Sequence, residues 1–223
     1  MTRSSTLIIT SSADGAHVEA VRKELDTLTH RALRVDTDRF GLDWTLTIEQ
    51  SPQKCIATIH TGTEKWALTP DTIGSIWLRK PLLADFEKRL TLSSEAIQFA
   101  SDEWTATLNG LYKVLSEQGI FWVSDPTHIA TASHKPFQLM LARKLGWSIP
   151  RTVITSDPDR ARHFWHEMNG QVIAKPIGRG WIRDPDDRDQ LHFIMTNEVP
   201  SPRNMDQVRV APVIFQENVP KDY

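Results

Sequence analysis

Thr6 to Thr10, with Leu7-Ile8-Ile9 as its apolar run, reads as a buried strand, and Ser11-Ser12-Ala13-Asp14-Gly15 reads as the turn that ends it. Val18, Val21, Leu25 and Leu28 then recur at helical spacing, with Glu19, Arg22, Lys23 and Asp26 on the other faces. Ala32 to Val35 is a second short strand. Strand, helix, strand in this order predicts a parallel sheet and an α/β domain. The period next changes to two. Trp44–Glu49, Cys55–Thr61 and Glu64–Leu68 alternate apolar and polar residues as antiparallel strands do, and Thr61-Gly62-Thr63 suits a hairpin turn. Gly74–Leu78 is another strand, ending in Arg79-Lys80-Pro81. Ile97, Ala100, Trp104, Leu108, Leu111 and Leu115 define a long helix from about Ser94 to Gln118, stopped by Gly119. Trp104 belongs to its core-facing stripe. Phe121-Trp122-Val123 closes this half, and Ser124-Asp125-Pro126 marks the exit.

The second half begins with a helix from His134-Lys135 to Leu145, capped by Ser133 and ended by Gly146. A strand over Ile149–Thr155 follows, then a helix over Asp157–Met168 with Pro158 in its first turn and Ser156 or Asp157 as cap. Val172-Ile173-Ala174-Lys175 is a strand that Pro176 ends, because proline has no N–H to donate to the ladder. Ile182–Gln190 is polar and rich in Asp and Arg, as expected of a flap. Leu191–Thr196 returns as a strand, Ser201-Pro202-Arg203-Asn204 opens a short helical or irregular piece, and Val213-Ile214-Phe215 is a last strand running into Gln216-Glu217-Asn218-Val219.

Composition narrows the classes. The 223 residues suffice for one large or two small domains. Twenty-six Lys and Arg against 28 Asp and Glu leave a net charge of −2, so no overall field draws the chain to nucleic acid or a membrane surface. Cys55 is the single cysteine, which excludes an intrachain disulfide and a multi-cysteine zinc site; it sits in an alternating run and reads as a buried structural thiol. Leu7-Ile8-Ile9 is too short for a signal peptide or a spanning helix, so a cytoplasmic location is the expectation.

The chemistry is carried by few residues. The turn after the first strand holds Gly15 alone, so a GxGxxG dinucleotide site is not supported, and no GxxxxGK[ST] occurs. His163 and His166 lie one helical turn apart and lack the further ligands a metal site needs. Asp184, Asp186, Asp187 and Asp189 read as a solvated flap. Asp36-Thr37-Asp38-Arg39-Phe40 ends the second strand where α/β proteins place ligands, or is a capping turn. Arg79 at a strand end can grip a carboxylate or phosphate in a bidentate manner, or be a solvated charge. Lys175, followed by Gly178 and Gly180, can hold phosphate beside a loop that approaches a ligand closely, or be an exposed lysine before an ordinary loop.

Val35-Asp36-Thr37-Asp38-Arg39-Phe40, Ile76-Trp77-Leu78-Arg79-Lys80-Pro81, Ser133-His134-Lys135-Pro136 and Phe215-Gln216-Glu217-Asn218-Val219-Pro220-Lys221-Asp222-Tyr223 stand in one order across nearly the whole chain. In that order they resemble the ATP-grasp ligases, most closely the MvdD/MvdC type of graspetide (microviridin) biosynthesis and more distantly the RimK-like glutamate ligases. The resemblance implies an N-terminal pre-ATP-grasp α/β domain over 1–128. A central α+β ATP-grasp subdomain over 129–223 would follow, ending at the adenine hinge with the C-terminal subdomain missing. It implies that Lys135 and Lys175 contact ATP phosphates, that Gln216, Glu217, Asn218 and Val219 form the hinge, and that Ile173 and Val219 touch the purine. Gly178 and Gly180 would let the flap close, and Arg79 would meet a substrate carboxylate or phosphate. Magnesium is implied, with its ligands expected beyond residue 223, so that this chain alone is expected to be inactive. The implied partner is a ribosomal precursor peptide or another carboxylate substrate, and the implied reaction is ester or amide formation through an acyl-phosphate; a homodimer is also expected. The alternative is a non-catalytic module that binds a peptide or partner on a degenerate ATP-grasp scaffold.

Overall fold

A computed structural model describes residues 5–178, 180–184 and 191–220. The chain divides into two compact units, Met1–Thr131 and Ala132–Tyr223.

In the first unit, β1 (Ser5–Thr10), α1 (Ala16–Thr27) and β2 (Ala32–Asp36) form the expected crossover. A short 3-10 turn (Thr37–Arg39) follows. The next strands are β3 (Thr45–Gln50), β4 (Cys55–His60), β5 (Lys65–Leu68) and β6 (Ile73–Leu78). Next come α2 (Phe86–Arg89), α3 (Ser94–Glu117), β7 (Phe121–Val123) and α4 (Pro126–Ala132). β1, β2, β6 and β7 make a parallel sheet in the order β2-β1-β6-β7, while β3, β4 and β5 make an antiparallel sheet of their own. Both periods in the sequence are thereby explained. The continuous apolar run of β1 is buried on both faces, whereas β3 to β5 bury alternate residues.

The core of this unit joins Leu7, Ile9, Val35 and Ile76 of the parallel sheet to Leu108, Leu111 and Leu115 of α3 and to Ala57, Ile59 and Leu68 of the antiparallel one. Trp104 belongs to it as expected, stacked on Phe40 with ring centroids 5.3 Å apart. Gly41 is required there. Its φ is +77°, and a Cβ would lie 2.8 Å from the Trp104 indole nitrogen and 3.0 Å from the Phe86 ring. Cys55 is half-buried, less enclosed than its alternating run implies.

The second unit contains α5 (Lys135–Lys144), β8 (Thr152–Thr155), α6 (Pro158–Glu167) and β9 (Val172–Lys175). After these come β10 (Trp181–Arg183), β11 (Leu191–Phe193) and β12 (Asn197–Glu198), then a 3-10 segment (Pro202–Arg209) and β13 (Val213–Glu217). The main sheet has the order β12-β9-β13-β8 and is antiparallel throughout; β10 and β11 form a separate ribbon. Several boundaries differ from expectation: β11 ends at Phe193 rather than Thr196, and β10 reaches into the start of the expected Ile182–Gln190 flap. β8 starts at Thr152 rather than Ile149, since Pro150 has no donor for a ladder. His134, not Ser133, stands at the cap of α5, and its side chain makes no capping bond. Asp157 does cap α6, accepting from the Asp159 N–H at 2.9 Å.

One face of the main sheet is closed. Val153, Val172, Ala174, Val213 and Phe215 pack with Ala161 and Phe164 of α6 and with Met205 and Val208 of the 3-10 segment. By strand alternation Thr152, Ile154, Ile173, Lys175, Ile214 and Gln216 fall on the opposite face.

Candidate functional site

The face of the main sheet away from α6 carries the polar chemistry of the second unit. In the β9–β13 register Lys175 lies opposite Ile214, and Ile173 opposite Gln216. Lys175 and Gln216 are therefore diagonal neighbours on one face. The Lys175 ammonium donates to Gln216 Oε1 at 2.6 Å, Gln216 Nε2 donates to Thr152 Oγ1 at 2.9 Å, and Thr152 Oγ1 donates to the Pro150 carbonyl at 2.9 Å. This chain of bonds crosses three strands and fixes the lysine, whose flexible stem would otherwise leave its charge unplaced. Gln216 is buried, so each of its side-chain groups needs such a partner.

Lys135, at the start of α5, donates to the Ile177 carbonyl at 2.5 Å. Both predicted phosphate-binding lysines thus reach the segment that runs from the end of β9 to Gly178. Gly178 is exposed, and a Cβ there would meet nothing within 4 Å, leaving open space beside the loop. Neither Gly178 nor Gly180 is in the left-handed region, so the reason for glycine at these positions is room, not backbone conformation. The Gly180 carbonyl accepts from the Ile194 N–H at 2.7 Å, which ties the loop to the segment after β11. A depression of about 530 Å³ opens here, lined by Lys175, Pro176, Ile177 and Gly178 on one side and by Ile194, Met195, Pro212 and Val213 on others. Its walls are largely apolar, with Lys175 the cation at its edge.

The predicted hinge residues lie toward the other end of β13 and are not in the wall of that depression. Glu217 is bound to the residue just before β8, its N–H donating to the Arg151 carbonyl at 2.9 Å and its carboxylate accepting from the Arg151 N–H at 3.2 Å. Asn218 donates from its backbone to the Gln171 carbonyl and from its side chain to Glu198. Val219 is more than half exposed and makes no hydrogen bond among the described residues. Of the four, Val219 alone is exposed and unbonded among the described residues, while Gln216 is held in the Lys175–Thr152 chain and Glu217 and Asn218 hold the strand end. Thr152 and the Ile177 carbonyl were not marked by sequence. No local pattern marks them, because their role depends on the strand register and on a contact spanning 42 positions.

Arg79 belongs to the first unit, at the carboxyl end of β6. It is not the solvated, free arginine of one sequence reading. Its Nε lies 2.7 Å from Asp14 Oδ2, both side chains are mostly buried, and its guanidinium stands 5.7 Å from the Trp77 ring. Asp14, unmarked by sequence, is also within 3.7 Å of His17. The Asp36–Phe40 segment makes the contacts of a capping turn. The buried Thr37 hydroxyl accepts from the Leu82 N–H at 3.1 Å and lies 2.8 Å from the Thr10 carbonyl, while Asp38 accepts from the Ser12 N–H at 2.8 Å.

His163 pairs with Glu167 at 3.0 Å and remains largely exposed. Among the described residues no group of three or more His, Cys, Asp or Glu is placed to hold a metal. Of the flap acids, Asp184 is engaged with His192 at 2.6 Å, and Asp186, Asp187 and Asp189 lie outside the described residues. No helix among the described residues is long and apolar enough to cross a membrane.

A parallel N-terminal sheet followed by a four-stranded antiparallel sheet, with Lys175 on one face of it and Lys135 of α5 bonded to the loop after β9, is an ATP-grasp type of architecture. The comparisons agree. The family model of the MvdD pre-ATP-grasp domain matches residues 5–130, and the chain belongs to that family. Among solved structures, macrocyclase MdnC of Microcystis aeruginosa, bound with its precursor peptide MdnA, is 26% identical with a TM-score of 0.86, over 97% of this chain and 69% of MdnC. The ATP-grasp ligase of Chryseobacterium gregarium, associated with ribosomal peptide modification and solved with ADP and a leader and core peptide, is 24% identical with a TM-score of 0.83. The match covers 98% of this chain and 64% of that ligase. PsnB with a minimal precursor, Mg and ADP is 25% identical with a TM-score of 0.66, over 95% and 64% of the respective chains. The chain thus spans about two thirds of the length of these ligases. No curated protein sequence matches it.

Proposed function

We propose that this chain serves ATP-dependent ligation of a carboxylate to an amine or hydroxyl, on side chains of a ribosomally made precursor peptide in the cytoplasm. The observation that carries this reading is the Lys175–Gln216–Thr152 chain of hydrogen bonds, with Lys135 tied to the same loop. Residues 132–220 would form the wall that receives the nucleotide. Two ammonium groups suit a polyphosphate as point charges, and the room at Gly178 lets that loop come close to phosphate oxygens. The backbone of Val219, unpaired among the described residues, and the apolar Ile173 would offer an adenine edge and face their partners. Magnesium would arrive with the nucleotide, as Mg and ADP accompany PsnB.

In this chemistry ATP converts a carboxylate into an acyl-phosphate, and an amine or hydroxyl displaces phosphate to leave an amide or ester. The protein's part is to hold the phosphates and exclude water. The membership of residues 5–130 in the MvdD family and the likeness to peptide-bound macrocyclases favour a peptide over a free amino acid as substrate.

The test is amide NMR of the protein with millimolar Mg-ATP, which detects weak and strong binding alike. Shifts should gather at Lys175, Ile177, Gly178, Gln216 and Val219, and Lys175→Ala should abolish them. Shifts scattered over the first unit, or shifts unchanged in Lys175→Ala, would overturn the assignment.

A further inference from the structure

Among the described residues three non-glycine positions have positive φ: Thr29 at 53°, Asn169 at 51° and Lys80 at 45°. The first two have an ordinary cause. Thr29 follows the end of α1, and its N–H and that of His30 return to Asp26 and Leu25; Asn169 and Gly170 return in the same way to His166 and Trp165. Those are helix-ending turns in which a left-handed residue is built in. Lys80 follows a strand instead. It also precedes Pro81, and a residue before proline is driven toward extended backbone. The sequence alone therefore predicts the opposite conformation.

What holds Lys80 there is visible on both sides. Arg79 N–H donates to the Ile9 carbonyl at 2.8 Å, continuing the β1 ladder by one residue. Beyond the proline, the Leu82 N–H donates to the buried Thr37 hydroxyl, which lies 2.7 Å from the Leu82 carbonyl. The turn is clamped by the ends of β1 and β2. A backbone in a rare conformation that its surroundings over-determine is the kind found at ligand sites.

The location agrees. β1 runs through α1 to β2 on one side, while β6 pairs with β1 on the other. The connections after β1 and β6 leave the sheet in different directions, and the crevice at their carboxyl ends is where open α/β sheets bind ligands. Asp14 and Arg79 join across that crevice, each largely neutralising the other. Lys80 is exposed and has no ionic partner among the described residues.

We propose that Lys80 binds a carboxylate of the peptide substrate at this crevice, with the Asp14–Arg79 pair positioning the turn that presents it. The inference rests on the peptide-ligase reading above and assigns to Lys80 the role that sequence gave to Arg79.

The discriminating variant is Lys80→Gly, since glycine adopts positive φ without steric strain and removes the exposed side chain together with its ammonium, and Lys80→Arg separates the charge from the chain. Binding is read by amide NMR with an acetylated, amidated peptide of alternating Glu and Ser, its Gln counterpart and inorganic phosphate. The Glu peptide should shift Lys80 and its neighbours saturably, and neither Gln peptide nor phosphate should match it. Lys80→Gly should weaken Glu-peptide binding about tenfold, near the strength of one charge-assisted contact, with a thermal midpoint equal or higher. Lys80→Arg should retain most of the binding. Undiminished binding in Lys80→Gly, equal binding of Glu and Gln peptides, or phosphate binding as tightly as the peptide would each overturn the proposal. Mg-ATP shifts around Lys175, recorded on the same samples, report separately on the ligase reading. Their absence in the wild type counts against that reading, whereas their presence beside unchanged peptide binding in Lys80→Gly counts against Lys80 alone.

Discussion

Tyr112 is buried in the core of the first unit, edge-on to Trp122 with ring centroids 5.9 Å apart, and its hydroxyl has no hydrogen-bond partner among the described residues. Burial pushes its ionisation above the ordinary tyrosine value of about 10. The sign of the pH effect follows. Below pH ~10 both folded and unfolded states keep the proton, so the group contributes no slope. Above it the unfolded chain releases the proton and the folded one retains it, and stability falls with rising pH by up to about 1.4 kcal/mol per unit. Tyr112→Phe should remove that slope, seen by urea denaturation between pH 9 and pH 11. At pH 7 it should leave stability unchanged or raised by about 1 kcal/mol, because an unsatisfied hydroxyl is lost with its ring retained. A large loss at neutral pH would mean that the hydroxyl has a partner after all. At this scale the sequence was least legible. Nothing local announces that Lys175 is anchored by Gln216, that Arg79 is neutralised by Asp14, or that Lys80 is left-handed, since each depends on residues brought near by the sheets.

Periodicity read the elements well where burial imposes it. β1, α1, β2, the three alternating strands and α3 all bury regular faces, and their positions follow from that. The misses are elements without such a face. α4 buries none of its residues, α2 has four, and β12 has two. They offer no period to detect. The face of the main sheet away from α6 was hidden for a related reason: Ile173, Lys175, Ile214 and Gln216 alternate with core residues, but which face is the core is decided by α6. That helix is consequently the element whose loss most exposes the site's foundation. Its start is set by Asp157, whose carboxylate takes the Asp159 N–H. Asp157→Ala should cost about 1 kcal/mol of stability, as loss of an N-cap does, and Asp157→Ser should recover most of it. Thermal denaturation followed by circular dichroism measures both. An equal loss in the two variants would show that the charge near the helix start, not the cap bond, is what matters.

At the scale of the whole molecule the two units have separate cores. Among the described residues the first gathers sixteen buried hydrophobic side chains into one cluster and the second gathers six. Stability scales with apolar surface buried, so the second unit has much less of it to offset its chain entropy. Unfolding should therefore proceed in two steps, with the Ala132–Tyr223 unit melting first. The proposed nucleotide wall lies in that unit. A ligand that binds only the folded form stabilises it by RT ln(1 + [L]/Kd), about 2.7 kcal/mol at a hundredfold excess over Kd. Mg-ATP should thus raise the lower transition and leave the upper one in place, while the acidic peptide bound near Lys80 should do the reverse. Differential scanning calorimetry with each ligand separates the two effects. A single transition raised equally by both ligands would show that the units unfold as one, and would remove the basis for assigning nucleotide and peptide carboxylate to different units.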